Sequence, residues 1–309
     1  MKTKLTWIGL GILPVLLFIG YTTYTFKIKT NNLTFSPFGG WQIGSNALYM
    51  YSHVSPKVKE KVPPGFRNLH AIVTHHIDSL SHVKIQNRPD NNLGFYYLWG
   101  DGAPLKKQLI KRWEKDSTTP YLKRWVSMSP LYGAYGSWLI RQYPVEYARY
   151  YIWPNLISYY APPPEFLGMY NMGKDSVDAG ALIWFKYKTS KVHGPTKDKK
   201  IVVTAAFPII LALLNVLFIT GFIGFAFIGG FKKMTGFQKK VLYVLLLVWF
   251  ANLGFSVLAS PIVLRYQVFP FIFTLTFACI LMGYVIRESF VPSPKEEKPD
   301  ISPRIASAL

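Results

Sequence analysis

Four stretches of this chain are apolar over a length of about 20 residues each: Leu5 to Phe26, Ile201 to Phe231, Val241 to Ser260 and Val268 to Ile286. A helix rising 1.5 Å per residue needs about 20 such residues to cross roughly 30 Å of hydrocarbon. Within lipid, each backbone N–H and C=O must be paired inside its own segment, and helices do this. The expected fold class is therefore an α-helical polytopic membrane protein with four transmembrane helices. The chain divides into a first span at 1–26, a domain at 27–200, three spans within 201–287 and a tail at 288–309.

The net charge of +20, from 35 Lys and Arg against 15 Asp and Glu, would suggest nucleic acid in a soluble protein. Beside membrane spans, basic residues set topology and meet anionic headgroups instead. Anionic membrane lipids are thus expected partners, and nucleic acid is not. Lys232, Lys233, Lys239 and Lys240 fill the short connection between the second and third spans. Short basic loops stay on the cytoplasmic side. Counting spans from that loop places residues 27–200 and Ser260 to Gln267 outside, and Lys2, Lys4 and the tail inside. The first segment also has the basic start of a signal peptide. Its length and its terminal Tyr21, Tyr24 and Phe26 fit a retained span with an interfacial aromatic belt. The one cysteine, Cys279, lies in the last span, which excludes an intrachain disulfide.

The intervening domain reads as mainly helical. Ser36-Pro37-Phe38-Gly39-Gly40-Trp41 has turn composition, with weak helical patterning from Gln42 to Tyr51. Phe66, Leu69, Ile72, Val73, Ile77 and Leu80 recur at helical spacing up to His82. Pro104 suits a helix first turn, followed by Leu105, Leu109, Ile110 and Trp113 on one face. A further helix is expected at Leu131 to Tyr143 after Ser129-Pro130, restarting at Pro144 and reaching Trp153. Aromatic residues crowd the stretch from Tyr121 to Phe185 among Arg124, Arg141 and Arg149. Two readings fit that composition: a surface against lipid headgroups and an aromatic core with solvated arginines. Prolines alternating with charges from Pro292 to Pro303 mark a disordered tail.

Five histidines lie between His53 and His82, but His70, His75 and His82 are five and seven apart. Ligands on one helix face sit three or four apart, so no metal site is expected. Asp78, Asp90, Asp101, Glu146, Glu165, Asp175 and Asp178 are the candidate acids and bases of the domain. Asp101, in Trp99-Gly100-Asp101-Gly102, has turn chemistry. No phosphate-binding glycine loop, nucleophile elbow or zinc-protease motif occurs, and no cofactor is implied. The sharpest polar feature is Arg265, at the expected outer end of the last two spans. There an arginine requires an anionic partner or a water-filled cavity, and a guanidinium matches a phosphate through paired hydrogen bonds. An ordinary phospholipid headgroup would satisfy it equally well.

Arg265-Tyr266-Gln267-Val268-Phe269-Pro270, followed by an apolar span, resembles the Arg-Tyr and proline-bearing penultimate segment of type C membrane glycosyltransferases. That group includes protein mannosyltransferases and bacterial lipid A aminoarabinose transferases. Tyr143-Pro144-Val145-Glu146-Tyr147-Ala148-Arg149-Tyr150 and Trp153-Pro154-Asn155 look like the stretch before the late spans in Bacteroidetes members. The resemblance covers the chain as the rear portion of a longer protein. It implies a lipid-linked sugar donor, a polyprenyl-phosphate sugar, bound through Arg265 and Tyr266 at the outer face of a bacterial inner membrane, with the large domain periplasmic. The family's catalytic aspartate belongs to an early loop that no residue here matches, so a second membrane subunit is an expected partner. The alternative is a non-enzymatic envelope subunit whose aromatic surface docks a partner. A transporter is disfavoured by spans almost free of internal charge and by the absence of an inverted repeat.

Overall fold

Thr30 donates its hydroxyl to the Phe26 carbonyl at 2.7 Å, so the first helix, α1 (Lys2–Thr30), runs past the expected end at Phe26. The computed structural model describes residues 2–54, 61–91, 94–116, 118–194 and 200–290. Apolar side chains of α1 project outward, Leu17 and Phe18 being 63% and 61% exposed. Such a helix is stable where lipid is its solvent.

Helices α2 (Pro37–Tyr51), α3 (Arg67–Ser81), α4 (Tyr96–Trp99), α5 (Pro104–Arg112) and α6 (Tyr121–Gln142) build the domain. Among the described residues no strand forms, and isolated bridges join Met169 to Lys200 and Ser176 to Lys191. Contact between α2 and α6 is made backbone to backbone. A Cβ on Gly40 would fall 2.0 Å from the Ser129 carbonyl oxygen, and one on Gly136 would fall 2.6 Å from that of Ile43. This corrects the turn expected at Ser36 to Trp41. Pro37 occupies a first-turn position where its missing N–H costs nothing, and Gly40 is small because α6 lies against it. The break expected before Leu131 is also absent, since α6 starts at Tyr121 and passes through Pro130.

Around this seam Trp41, Tyr132, Tyr135 and Tyr151 are fully buried. The Trp41 indole N–H donates to the Trp125 carbonyl at 3.0 Å, and the two rings stack at 5.3 Å. Elsewhere the aromatics face out, with Trp153 60% and Trp184 85% exposed. The stretch therefore divides into buried rings, which form an aromatic core, and exposed rings on its surface.

Helix α7 (Pro144–Tyr147) continues through a π-helical turn (Ala148–Ile152) into α8 (Trp153–Tyr160). The run thus extends past the expected end at Trp153. A short α9 (Ala179–Phe185) follows, its first turn capped by the Asp178 carboxylate, which accepts from the Gly180 N–H at 2.8 Å.

Three long helices close the chain: α10 (Phe207–Phe227), then after the short α11 (Gly230–Lys233), α12 (Gly236–Ala259) and α13 (Val268–Phe290). With α1 they give four segments of 22 to 25 residues long and apolar enough to cross a membrane. At 1.5 Å per residue these reach about 33–38 Å. The protein is a helical multi-pass membrane protein. α12 begins earlier than the apolar run because Thr235 caps it. The Thr235 hydroxyl accepts from the Gln238 N–H, and the Gln238 side chain accepts from the Thr235 N–H. α10 and α13 pack through small residues, Gly221 and Gly224 lying against Leu281 and Val285. Leu214, Phe218, Trp249, Ala278 and Leu281 form the core between spans. Residues 288–290, expected in the tail, belong to α13; the Pro292 to Pro303 segment lies outside the described residues.

A candidate anion site at the junction of domain and spans

A helix end leaves carbonyls without partners, and α12 ends at Ser260 without the left-handed glycine that often supplies a cap. The domain supplies one instead. Asn155, on α8 and wholly buried, donates from Nδ2 to the carbonyls of Val257 at 2.7 Å and Ser260 at 2.9 Å. Its Oδ1 accepts from the Ile262 N–H at 2.8 Å. Asn46, on α2, donates to the Ala259 carbonyl at 3.1 Å, with its own oxygen held by Gln42 at 2.7 Å. Tyr159 adds a hydrogen bond to Asn252 at 3.1 Å.

These contacts fix the connection from Ser260 to Gln267. Ile262, Val263 and Leu264 are buried, and the Leu264 N–H donates to the Pro163 carbonyl at 3.0 Å. A 3-10 turn, Leu264–Tyr266, then presents Arg265. Opposite it, the Pro162-Pro163-Pro164 segment ends at Glu165, whose φ of 52° is unusual for a residue with a side chain. The Glu165 carboxylate lies 3.5 Å from the Arg265 guanidinium, with side chains 13% and 46% exposed respectively. The guanidinium also sits 4.9 Å from the Tyr266 ring centre. Burial pushes the Glu165 carboxyl above its ordinary value, and Arg265 opposes that push.

Two cavities meet at Glu165. The larger, about 790 Å³, is bounded by His53, Asp90, Asn91, Tyr150, Ser158 and Glu165 among others. That volume falls in the range of clefts that hold small organic ligands, about 300–1,000 Å³. The smaller, about 80 Å³, has Phe38, Trp99, Glu165, Arg265 and Tyr266 in its wall. Asp90 is a fixed part of the larger wall. It accepts from Arg88 at 2.9 and 2.8 Å and from the Tyr97 hydroxyl at 2.6 Å. Burial alone would raise its pKa, but these hydrogen bonds together with the Arg88 charge hold it below the usual carboxylate value. Asp90 is therefore ionised and already neutralised.

The structure places the other polar residues apart from this junction or within packing. His70 meets the Tyr135 hydroxyl at 3.0 Å, and His53 stacks on Tyr150 at 4.7 Å. His76 meets the Tyr96 hydroxyl at 3.3 Å; burial and then Lys107 lower its pKa to about 4. Among the described residues no three His, Cys, Asp or Glu side chains converge as a metal site would require. Asp101 is fully exposed in a turn, 4.0 Å from Lys106. Sequence reasoning named Arg265, Tyr266 and Glu165, but not the Glu165–Arg265 pair or the asparagine caps. Comparison with protein-family models, curated proteins and solved structures finds no match.

Proposed function

We propose that this chain binds a polyprenyl-phosphate-linked sugar at the extracytoplasmic face of the bacterial inner membrane, as type C glycosyltransferases do. The reading rests on Arg265: a half-exposed guanidinium where spans meet domain, beside a cavity bounded by hydroxyl, carboxylate, amide and aromatic groups. An amphiphile with a phosphate at its waist suits that place. The apolar chain runs along the spans, the phosphate meets Arg265, and the sugar enters the polar cavity. Tyr266, 58% exposed, flanks the phosphate. The lysines of α11 and early α12 support the orientation, since short basic loops are cytoplasmic and the domain is then periplasmic. No residue is assigned as the catalytic base. Transfer itself would draw on a partner membrane subunit carrying the early acidic loop.

Binding of a prenyl-phosphoglucose to detergent-solubilised protein, followed by native mass spectrometry, tests the reading. Arg265→Ala should weaken binding at least tenfold, which corresponds to about 1.4 kcal/mol. Arg265→Lys should fall between, having lost paired geometry but not charge. Binding unchanged in Arg265→Ala removes the proposed role. Orientation is tested separately by a reporter after Tyr150, which should be active only outside the cytoplasm.

A second reading, a non-enzymatic envelope subunit, is favoured by one patch. Ile183, Trp184 and Phe185 at the end of α9 are 77%, 85% and 67% exposed, an arrangement suited to docking a partner. Loss of a co-purifying subunit on Trp184→Ala, with lipid binding intact, would select this reading.

A further inference from the structure

Resting on the phosphate site just proposed, we infer that Glu165 is its charge selector, admitting a phosphodiester-linked sugar lipid and rejecting a diphosphate-linked one. Three observations meet at this residue. Its carboxylate pairs with Arg265 at 3.5 Å. It lies on the partition shared by the polar cavity and the Arg265 pocket. Its backbone is held at a φ of 52°, a conformation costly for a non-glycine residue and retained where surroundings impose it. The three-proline segment before it and the Leu264–Pro163 hydrogen bond are those surroundings.

The consequence is electrostatic. The described residues lining the two cavities include a single cation, Arg265, and two carboxylates, Asp90 and Glu165. Asp90 is already neutralised by Arg88. The remaining pair, Arg265 and Glu165, sums to zero. A phosphodiester brings one negative charge and can share the guanidinium, whose face is half-open. A diphosphate diester brings two, and the second meets no further cation among the described lining residues while facing the fixed Glu165 carboxylate. One extra unit charge at about 6 Å through a half-solvated medium changes affinity about tenfold. A site built for diphosphates would instead place a second cation where Glu165 stands.

The test compares two probes on the full chain in detergent: a short prenyl-phosphoglucose and the matching prenyl-diphosphoglucose. The wild type should prefer the first. Glu165→Gln, which keeps shape and removes charge, should move the affinity ratio about tenfold toward the diphosphate. Glu165→Asp, which keeps the charge, should leave the ratio near wild type. The readout is a ratio within one variant, so general loss of folding does not imitate it. An unchanged ratio in Glu165→Gln, or an equal shift in Glu165→Asp, overturns the selector while the phosphate site stands if Arg265→Ala still weakens both probes. Equal binding of both probes by wild type and Arg265→Ala removes the site itself.

Discussion

Replacing Asn155 by Ala should unlatch the domain from the spans. The side chain satisfies two carbonyls at 2.7 and 2.9 Å and one N–H at 2.8 Å, all in the stretch from Val257 to Ile262. Asn155 is completely buried, so water does not replace it without opening the junction. Each buried group left unpaired costs about 1–3 kcal/mol, and three neighbouring groups relax together and do not add fully. The expected loss is about 3–5 kcal/mol. Asn155→Asp should do no better, because its carboxylate accepts from Ile262 but faces two carbonyl oxygens that need donors. Asn46→Ala should cost about 1–3 kcal/mol, because its bonds to the α12 end are longer at 3.1 and 3.4 Å but the buried Gln42 amide also loses its 2.7 Å acceptor. Unfolding by SDS in mixed micelles, followed by tryptophan fluorescence, measures these differences. Limited proteolysis should show cleavage appearing between Ser260 and Gln267. A loss under about 1 kcal/mol for Asn155→Ala would refute the capping argument.

Three other outcomes are expected. Gly40→Ala should destabilise by about 1–3 kcal/mol or more, since its methyl would meet backbone and not a movable side chain. Gly39→Ala, with nothing within 4 Å of the new carbon, should be neutral or slightly stabilising through helix propensity; both are read by the same SDS titration. Tyr97→Phe removes the 2.6 Å hydrogen bond to Asp90, so the depressed pKa of that carboxyl should rise. A depressed carboxylate stabilises above its unfolded value and loses that contribution as pH falls through its folded value; the acid loss of thermal stability should therefore begin at higher pH in the variant. His76, lowered from 6.5 to about 4, is neutral in the folded state over the window where the unfolded chain takes up a proton. Stability should decline from about pH 6.5 toward pH 4, and His76→Gln should flatten that part of a melting-temperature profile.

The membrane half was legible because its signal is local: each apolar run must satisfy its own backbone, and Leu5 to Phe26 or Val268 to Ile286 says so residue by residue. Glycine and proline misled where their role is tertiary. Gly39-Gly40 has the composition of a turn, yet Gly40 is small because Ser129 lies against it from another helix. Pro130 has the composition of a break, yet α6 continues through it, held by packing on α2. Arg265 stood out as a charge at the end of a span. Its partner did not, since Glu165 was one of seven domain carboxylates and the pairing depends on a turn that brings two distant segments together. The same holds for Asn155, whose bonds to the end of α12 and the connection after it reach across 102 to 107 positions. A resemblance drew attention to Trp153-Pro154-Asn155, but no periodicity reveals that the asparagine completes another helix.

The widened turn at Ala148–Ile152 decides what that asparagine can reach. In a regular helix, steps of four residues drift about 40° each, so Tyr147, Tyr151, Asn155 and Tyr159 would spiral by about 120°. The one loosened turn takes back much of this drift. A single rod thereby holds Tyr151 in the tyrosine-rich core of the domain and Tyr159 among the residues packed on α12. Deleting one residue just after the loosened turn, at Trp153 in the regular helix, would leave the rod helical while rotating everything after it by about 100°. Asn155 would swing off the α12 carbonyls, and two intact halves would lose their common axis.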